Sequence, residues 1–225
     1  MFQYGKFFCF WRRFFRIVDG KQTIQGQDNI SSNAIYVTHH QNLYGPVAAM
    51  AWFPMSLRIW ALHVFFETDA CFQQFHDYTF TKRMGWGKLQ SKVAAKIAAP
   101  LISKLLKSGG ALPVYRGRRS IFETIRLSVD ALRRGESLLI SPDVDYANNA
   151  SEVKEIYLGF LNLEKYYLRE TGRHIPFIPL YCNREQHILY VGKAVCFTDD
   201  APFGAERQRV AEELKNQLNE FSKIQ

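Results

Sequence analysis

Two adjacent histidines, His39 and His40, lie in the segment THHQNLYGP, Thr38 to Pro46, directly after a short β-type run. A histidine at a strand-to-helix turn is placed to take a proton from a substrate hydroxyl, since its ordinary pKa is about 6.5. A histidine pair alone is more often structural than catalytic, so the segments that follow must carry the argument. GALPVYR, Gly110 to Arg116, ends a strand in an arginine and continues into Arg118 and Arg119. Such a cluster either grips a phosphate in bidentate fashion or forms a solvated basic turn. LLISPDVDY, Leu138 to Tyr146, sets Pro142, Asp143 and Asp145 just beyond another strand. Carboxylates there orient a hydroxyl or a base, or simply form the turn that Asp favours. IPFIPLY, Ile175 to Tyr181, is an apolar strand that includes Pro179 and suits a pocket wall.

These residues need elements to hold them. Runs of β type cover Ala34 to Thr38, Arg58 to Phe66, Ala111 to Tyr115, Ser137 to Ser141, Ile175 to Cys182 and Ile188 to Phe197. Helical patterns cover about Pro46 to Trp52, Lys88 to Ser108, Ser120 to Arg134, Glu152 to Arg169 and Ala205 to Phe221, with Pro100 expected to kink the second. This alternation predicts an α/β fold: a single domain with a mixed, mainly parallel sheet flanked by helices. Ligands of such sheets gather at loops beyond the strand ends, where the histidines, arginines and aspartates fall.

The composition suits one domain over residues 21–225: 225 residues, 47% hydrophobic and 22% charged. The formal charge of +8 favours acidic partners. The four cysteines, Cys9, Cys71, Cys182 and Cys196, lack metal-ligand or paired spacing, so neither a metal site nor a disulfide framework is expected. No recognised nucleic-acid motif occurs, which argues against a nucleic-acid partner. No run approaches the roughly 20 apolar residues of a membrane span.

Residues 1–20 form a separate feature. On a wheel of about 100° per residue, Tyr4, Phe7, Phe8, Phe10, Trp11, Phe14, Phe15, Ile17 and Val18 fall in one half, with Lys6, Arg12, Arg13 and Arg16 in the other. Such an amphipathic helix is expected on an anionic membrane surface, with Phe7, Trp11 and Phe14 in the acyl boundary and Arg12 and Arg13 on phosphates. The alternative is a helix packed on the protein's own core. Lys88 to Ser108 is two-faced as well, and its lysine face suits either a membrane or water.

The order of the four segments resembles the lysophospholipid acyltransferase family, also called the glycerol-phosphate acyltransferase family. Its members carry a His-x4-Asp motif after a strand, a Gly-x5-Arg motif, a Phe-Pro-Glu-Gly-Thr-Arg type motif and a late Pro-rich strand. GQDNI before the first strand, Gly159, and VGKAV from Val191 to Val195 also look like the family, and the likeness covers roughly residues 24–225. The resemblance implies a peripheral O-acyltransferase at the cytoplasmic face of the membrane, working without a cofactor. His40 would deprotonate an acceptor hydroxyl, which attacks the thioester of an acyl-CoA or acyl-carrier protein. Arg116, with Gly110 and Arg118, would hold the phosphate of a lysophospholipid or related acceptor. Pro142 and Asp143 would position that acceptor, and Pro179 would line a pocket.

The sequence also departs from the family. The motif aspartate falls on Gly45 when counted from His40 and on Tyr44 when counted from His39. In histidine-dependent hydrolases, losing the orienting carboxylate's charge costs about four orders of magnitude in rate. Asp143, Asp145, Glu67 and Asp69 are the possible replacements, with Asp145 expected beside the His40 ring. In the third motif Asp143 stands where glutamate is usual and Tyr146 where arginine is usual, so one phosphate contact is expected to be lost. The alternative function is a lipid-binding member with little or no turnover.

Overall fold

The computed structural model describes residues 2–115, 117, 120–145 and 150–224. Its sheet runs in the order β1 (Thr23–Gln25), β7 (Ile188–Val191), β6 (Phe177–Asn183), β2 (Ile35–Val37), β5 (Ser137–Ile140), β3 (Leu57–Leu62) and β4 (Leu112–Val114). Neighbours are parallel except the β6–β7 pair. The fold is thus the α/β domain with a mainly parallel, mixed sheet that the alternation predicts.

The central strands read as nearly unbroken apolar runs because both of their faces are covered. Ala34, Tyr36, Leu139, Ile178 and Leu180 join Ala48, Ala49 and Met50 of α2 (Tyr44–Trp52) in one apolar layer. Ile35, Val37, Leu138 and Ile140 meet Val129 and Leu132 of α5 (Ile121–Arg133), Leu163 and Tyr167 of α6 (Leu163–Thr171), and Val210 and Leu214 of α7 (Phe203–Ser222) in the other. Alternate residues of one strand therefore feed opposite layers. The chain leaving β2 enters α2 on one face, and the chain leaving neighbouring β5 reaches α6 on the other. Diverging connections open a crevice at the carboxyl ends of β2 and β5.

One expected element is corrected. The first part of Glu152 to Arg169 is not helical: the Val144 N–H donates to the Glu155 carbonyl (3.1 Å), the Tyr157 N–H donates to the Pro142 carbonyl (2.8 Å), and Asp143 bridges Ile156 in antiparallel fashion. The segment folds back as a strap over the end of β5. Val153 is committed to α7, because the Asn219 side chain accepts from its N–H (2.7 Å) and donates to its carbonyl (3.1 Å). Helix α6 starts after a 3-10 turn, Leu158–Asn162. Strand β1, α3 (Thr68–Gln73) and a π-helical segment, Gln74–Arg83, lie in stretches read as neither helix nor strand. By contrast α4 spans Lys88–Ser108 as expected and continues through Pro100, burying Ser91, Ala95, Ala99 and Ser103 along one side.

The amino-terminal helix, α1 (Lys6–Asp19), has no buried residue. Its start is tied to the end of α4 by the Gly5 N–H on the Ser108 carbonyl (2.7 Å) and the Phe8 N–H on Ser108 Oγ (2.9 Å). Two of its arginines turn inward rather than toward solvent. Arg12 donates to the carbonyls of Ala51 (2.8 Å) and Phe53 (2.7 Å), and Arg16 donates to Ala51 (2.7 Å). The carboxyl end of α2 lacks in-helix donors and carries the negative end of the helix dipole, so guanidinium groups suit it. The helix thus spends part of its cationic side on the protein and leaves Phe10 (65%), Phe14 (50%), Ile17 (76%) and Val18 (69%) exposed. Among the described residues no helix is long and apolar enough to cross a membrane.

Candidate functional site

His39 follows β2 on the side already used by Ile35 and Val37, and its ring enters the crevice. The ring is buried (4% exposed), and Nδ1 is bonded to the Asp143 carboxylate from the end of β5. Its other nitrogen, Nε2, lies 2.9 Å from the carbonyl oxygen of Ala150 on the strap. The second oxygen of Asp143 accepts the backbone N–H of His40 (2.9 Å), so one carboxylate fixes both ends of the pair. Carboxylate and carbonyl both accept, so the arrangement suits a ring protonated at both nitrogens. Burial pushes the His39 pKa down, but the hydrogen bond and charge of Asp143 outweigh it and the ring stands above its usual value.

His40 has a different task. Its Nδ1 accepts the Leu43 N–H (3.1 Å), which caps the turn leading into α2. The neutral ring therefore keeps its proton on Nε2. That turn is unusual: Gln41, Asn42 and Leu43 have φ of 44°, 50° and 81°, three consecutive residues in the left-handed region without a glycine.

Gly45, where the resembled motif would place an aspartate, has no room for a side chain. A Cβ on Gly45 would lie 1.9 Å from the His39 carbonyl oxygen, so no side chain fits there. Tyr44 turns to a separate network in which the Gln22 amide donates to its hydroxyl (3.1 Å). Burial, with help from Asp19, pushes its pKa up to about 12. Neither position can supply a carboxylate to His39, and Asp143 does so instead.

Asp145 lines the same small cavity, about 170 Å³, with His39, Asp143, Lys154 and Glu155. The sequence reading placed the base on His40 and its partner on Asp145; the described histidine–carboxylate contact here is between His39 and Asp143. Strand alternation carries a signal for this choice, because Ile35, Val37 and His39 are two residues apart and share a side. Pro142 is buried within the strap hairpin. Pro179 is buried in β6 opposite Val37, packed toward Gly192. Gly110 lies at the amino end of β4, where its carbonyl accepts from Arg58 (3.1 Å) and a Cβ would strike the Phe2 ring. Glu67 is at the surface, 3.8 Å from Lys107. Arg116 and Arg118 lie outside the described residues. Tyr181 ends the strand expected to form a pocket wall, and Ser141 opens the Ser-Pro-Asp turn expected to position the acceptor. The Tyr181 hydroxyl donates to the strap at the Ser151 carbonyl (3.1 Å) and burial pushes its pKa up to about 12. The Ser141 hydroxyl is buried at the end of β5 without a partner among the described residues.

No protein-family model and no curated protein matches this sequence. Among solved structures, the 1-acyl-sn-glycerophosphate (LPA) acyltransferase PlsC from Thermotoga maritima is similar, with a TM-score of 0.59 over 98% of this chain and 80% of that one, at 15% identity. The fold is one that an acyltransferase uses. At that identity the likeness shows architecture alone, and the chemistry must be argued from the His39 crevice. Among the described residues no group of histidine, cysteine, aspartate and glutamate is arranged to hold a metal ion.

Proposed function

We propose that this protein is a peripheral membrane O-acyltransferase that moves a fatty acyl group from an acyl-CoA or acyl-carrier-protein thioester to a hydroxyl of a lysophospholipid or glycerol-phosphate-type acceptor. The observation that carries the reading is the His39–Asp143 pair at the mouth of the β2–β5 crevice. With Nδ1–H held by Asp143, loss of the Nε2 proton leaves a lone pair there, the arrangement a general base requires. The base takes the acceptor's hydroxyl proton as its oxygen attacks the thioester carbonyl. Collapse of the tetrahedral intermediate expels the thiolate, which receives the proton back from the imidazolium. No acyl-enzyme forms. Arg116 and Arg118 are proposed to meet the acceptor phosphate, since the cavity beside His39 is lined mainly by carboxylates. The rings of Phe7, Trp11 and Phe14, with Arg13, are proposed to hold the protein at the cytoplasmic face of an anionic membrane.

One observation favours a second reading, a lipid-binding protein with little turnover: the Ala150 carbonyl occupies the nitrogen that a substrate hydroxyl would need. An assay of purified protein decides between them. Lysophosphatidic acid, glycerol 3-phosphate and a neutral monoacylglycerol are offered with acyl-CoA and acyl-carrier-protein donors. Ester formation that disappears in His39→Ala supports the enzyme; lipid binding without ester formation in any pairing supports the second reading.

A further inference from the structure

A second amphipathic surface lies beside the amino-terminal helix. Along α4, Leu89 (77% exposed), Val93 (54%) and Ile97 (67%) recur every four residues and form one outward apolar row. Trp86, 43% exposed and stacked on Phe80 at 5.0 Å, stands just before its start. Large apolar side chains aligned in this way are not scattered surface residues; they form a patch that water covers poorly. Lys88, Lys92 and Lys96 are exposed in a parallel row one position earlier.

The row joins the outward face of α1. Lys104, seven residues beyond Ile97 and on the same side of α4, places its Nζ 4.6 Å from the centre of the Phe7 ring. Phe7 meets Trp11 at 6.5 Å, and Trp11 meets Phe14 at 5.5 Å. The two helices thus present one apolar strip with cations along its edge. Arg12 and Arg16 are committed to α2 carbonyls and supply little of that charge, whereas the α4 lysines are exposed.

We infer that the outward row of α4, Leu89, Val93 and Ile97 with Lys88, Lys92 and Lys96, is a second docking surface for an anionic lipid bilayer. It deepens and rests on the peripheral-membrane reading above. The apolar row enters the acyl boundary while the lysine stems lie along it and hold their ammonium groups at lipid phosphates. The surface also leads toward the crevice. Arg83, at the end of the π-helical segment before Trp86, donates to the Asn42 side chain in the turn after His40. A bilayer on this face therefore lies beside the entrance to the proposed site.

The test is co-sedimentation of the full chain with phosphatidylcholine vesicles, with and without phosphatidylserine. Three triple variants are compared: Leu89→Ser with Val93→Ser and Ile97→Ser; Lys88→Gln with Lys92→Gln and Lys96→Gln; and, on α1, Phe10→Ser with Phe14→Ser and Ile17→Ser. All nine positions are exposed, and circular dichroism with a melting curve checks that each variant is folded. The α4 apolar variant should bind anionic vesicles at least roughly tenfold more weakly. The lysine variant should lose roughly tenfold or more on anionic vesicles and little on neutral ones. Unchanged binding by both α4 variants overturns the inference; if the α1 variant then loses binding, the peripheral-membrane reading survives without it. Loss in the α4 variants with an unaffected α1 variant upholds the inference and removes α1 as the anchor. A change from dimer to monomer in the α4 apolar variant, with vesicle binding intact, assigns the row to a second copy of the chain and overturns the inference.

Discussion

The Ala150 carbonyl oxygen sits 2.9 Å from Nε2 of His39, while Asp143 holds Nδ1 of the same ring. Ring protonation and the position of the strap are therefore linked. A doubly protonated ring donates to both partners; a ring that has lost its Nε2 proton turns a lone pair toward another lone pair, and that strap contact is lost. In the proposed mechanism, one deprotonation would both create the base and uncover it. Because the His39 pKa is raised, its stabilising contribution is fully present below the unfolded value of about 6.5 and is lost as pH rises through the folded value. Acyl transfer should change in the opposite sense, climbing with pH through a midpoint above about 6.5. Asp143→Asn removes the raising partner, so the midpoint should move to lower pH and the plateau should fall. A pH–rate profile of both proteins measures this, and a midpoint that does not move removes Asp143 from the role.

The two histidines give a second test. The motif register points to His40, whereas the geometry points to His39. Replacing His39 with Ala should lower kcat by about 10³- to 10⁴-fold. Replacing His40 with Asn, whose side-chain oxygen can still accept the Leu43 N–H, should cost less than about tenfold. Steady-state rates with thermal melts as a folding control distinguish the two, and the reverse order returns the base to His40.

Placing an aspartate five residues after His40 should not help. Gly45→Asp would push a Cβ against the His39 carbonyl, so helix α2 or the His39 backbone must move. We expect a loss of roughly 3 kcal/mol, seen as a melting temperature several degrees lower, and no gain in rate. Tyr44→Asp tests the other register: it removes the hydroxyl that accepts from Gln22 and should also fail to raise the rate.

The sequence made the sheet legible where residues are buried on both sides. Ile35–Val37 and Ser137–Ile140 are apolar enough that the chain order alone shows where the crevice opens. It also placed His39 and Asp143 just beyond the ends of those strands, where the two side chains meet. The strap was not legible, because Val153 and Ile156 have helix-compatible spacing and the pull of Asn219 comes from 66 residues away. Strand β1 is three residues long and exists only through its pairing with β7. That the His39 ring meets Asp143 depends on which side of β2 the residue faces, whereas alignment to a motif compares positions along the chain and carries no side. The inward turn of Arg12 and Arg16 was hidden for a similar reason: an amphipathic wheel shows two faces without saying which one finds the end of another helix.

That inward turn should separate stability from the proposed lipid binding. Arg12→Ala, which abandons the carbonyls of Ala51 and Phe53, should destabilise the fold by about 1–3 kcal/mol. Lys6→Gln with Arg13→Gln, both exposed, should leave stability within about 0.5 kcal/mol and weaken binding to anionic vesicles at low salt. Denaturant melts and co-sedimentation on the same preparations show whether the two effects divide in this way. Equal destabilisation by both changes would mean that the Arg12 contacts to α2 carry no special weight.

The turn after His40 carries the last prediction. Leu43 has φ 81° and ψ −15°, and its side chain is 55% exposed. A side chain beyond glycine in the left-handed region costs about 1–2 kcal/mol, and an exposed leucine recovers little of that by burial. Leu43→Gly keeps the N–H that His40 caps and removes the strain, but it also gives the unfolded chain more freedom, worth roughly 0.5–1 kcal/mol against folding. The net result should be a gain of about 0.5–1 kcal/mol. Leu43→Ala retains a Cβ in the same conformation and should show no gain, which makes it the control. If the strained turn exists to hold the histidine pair against the Asp143 carboxylate, the glycine variant should be more stable yet slower, with kcat reduced and KM little changed. Denaturant titration and steady-state kinetics on the two variants test both halves, and a glycine variant no more stable than the alanine one would show that the turn is not strained at Leu43.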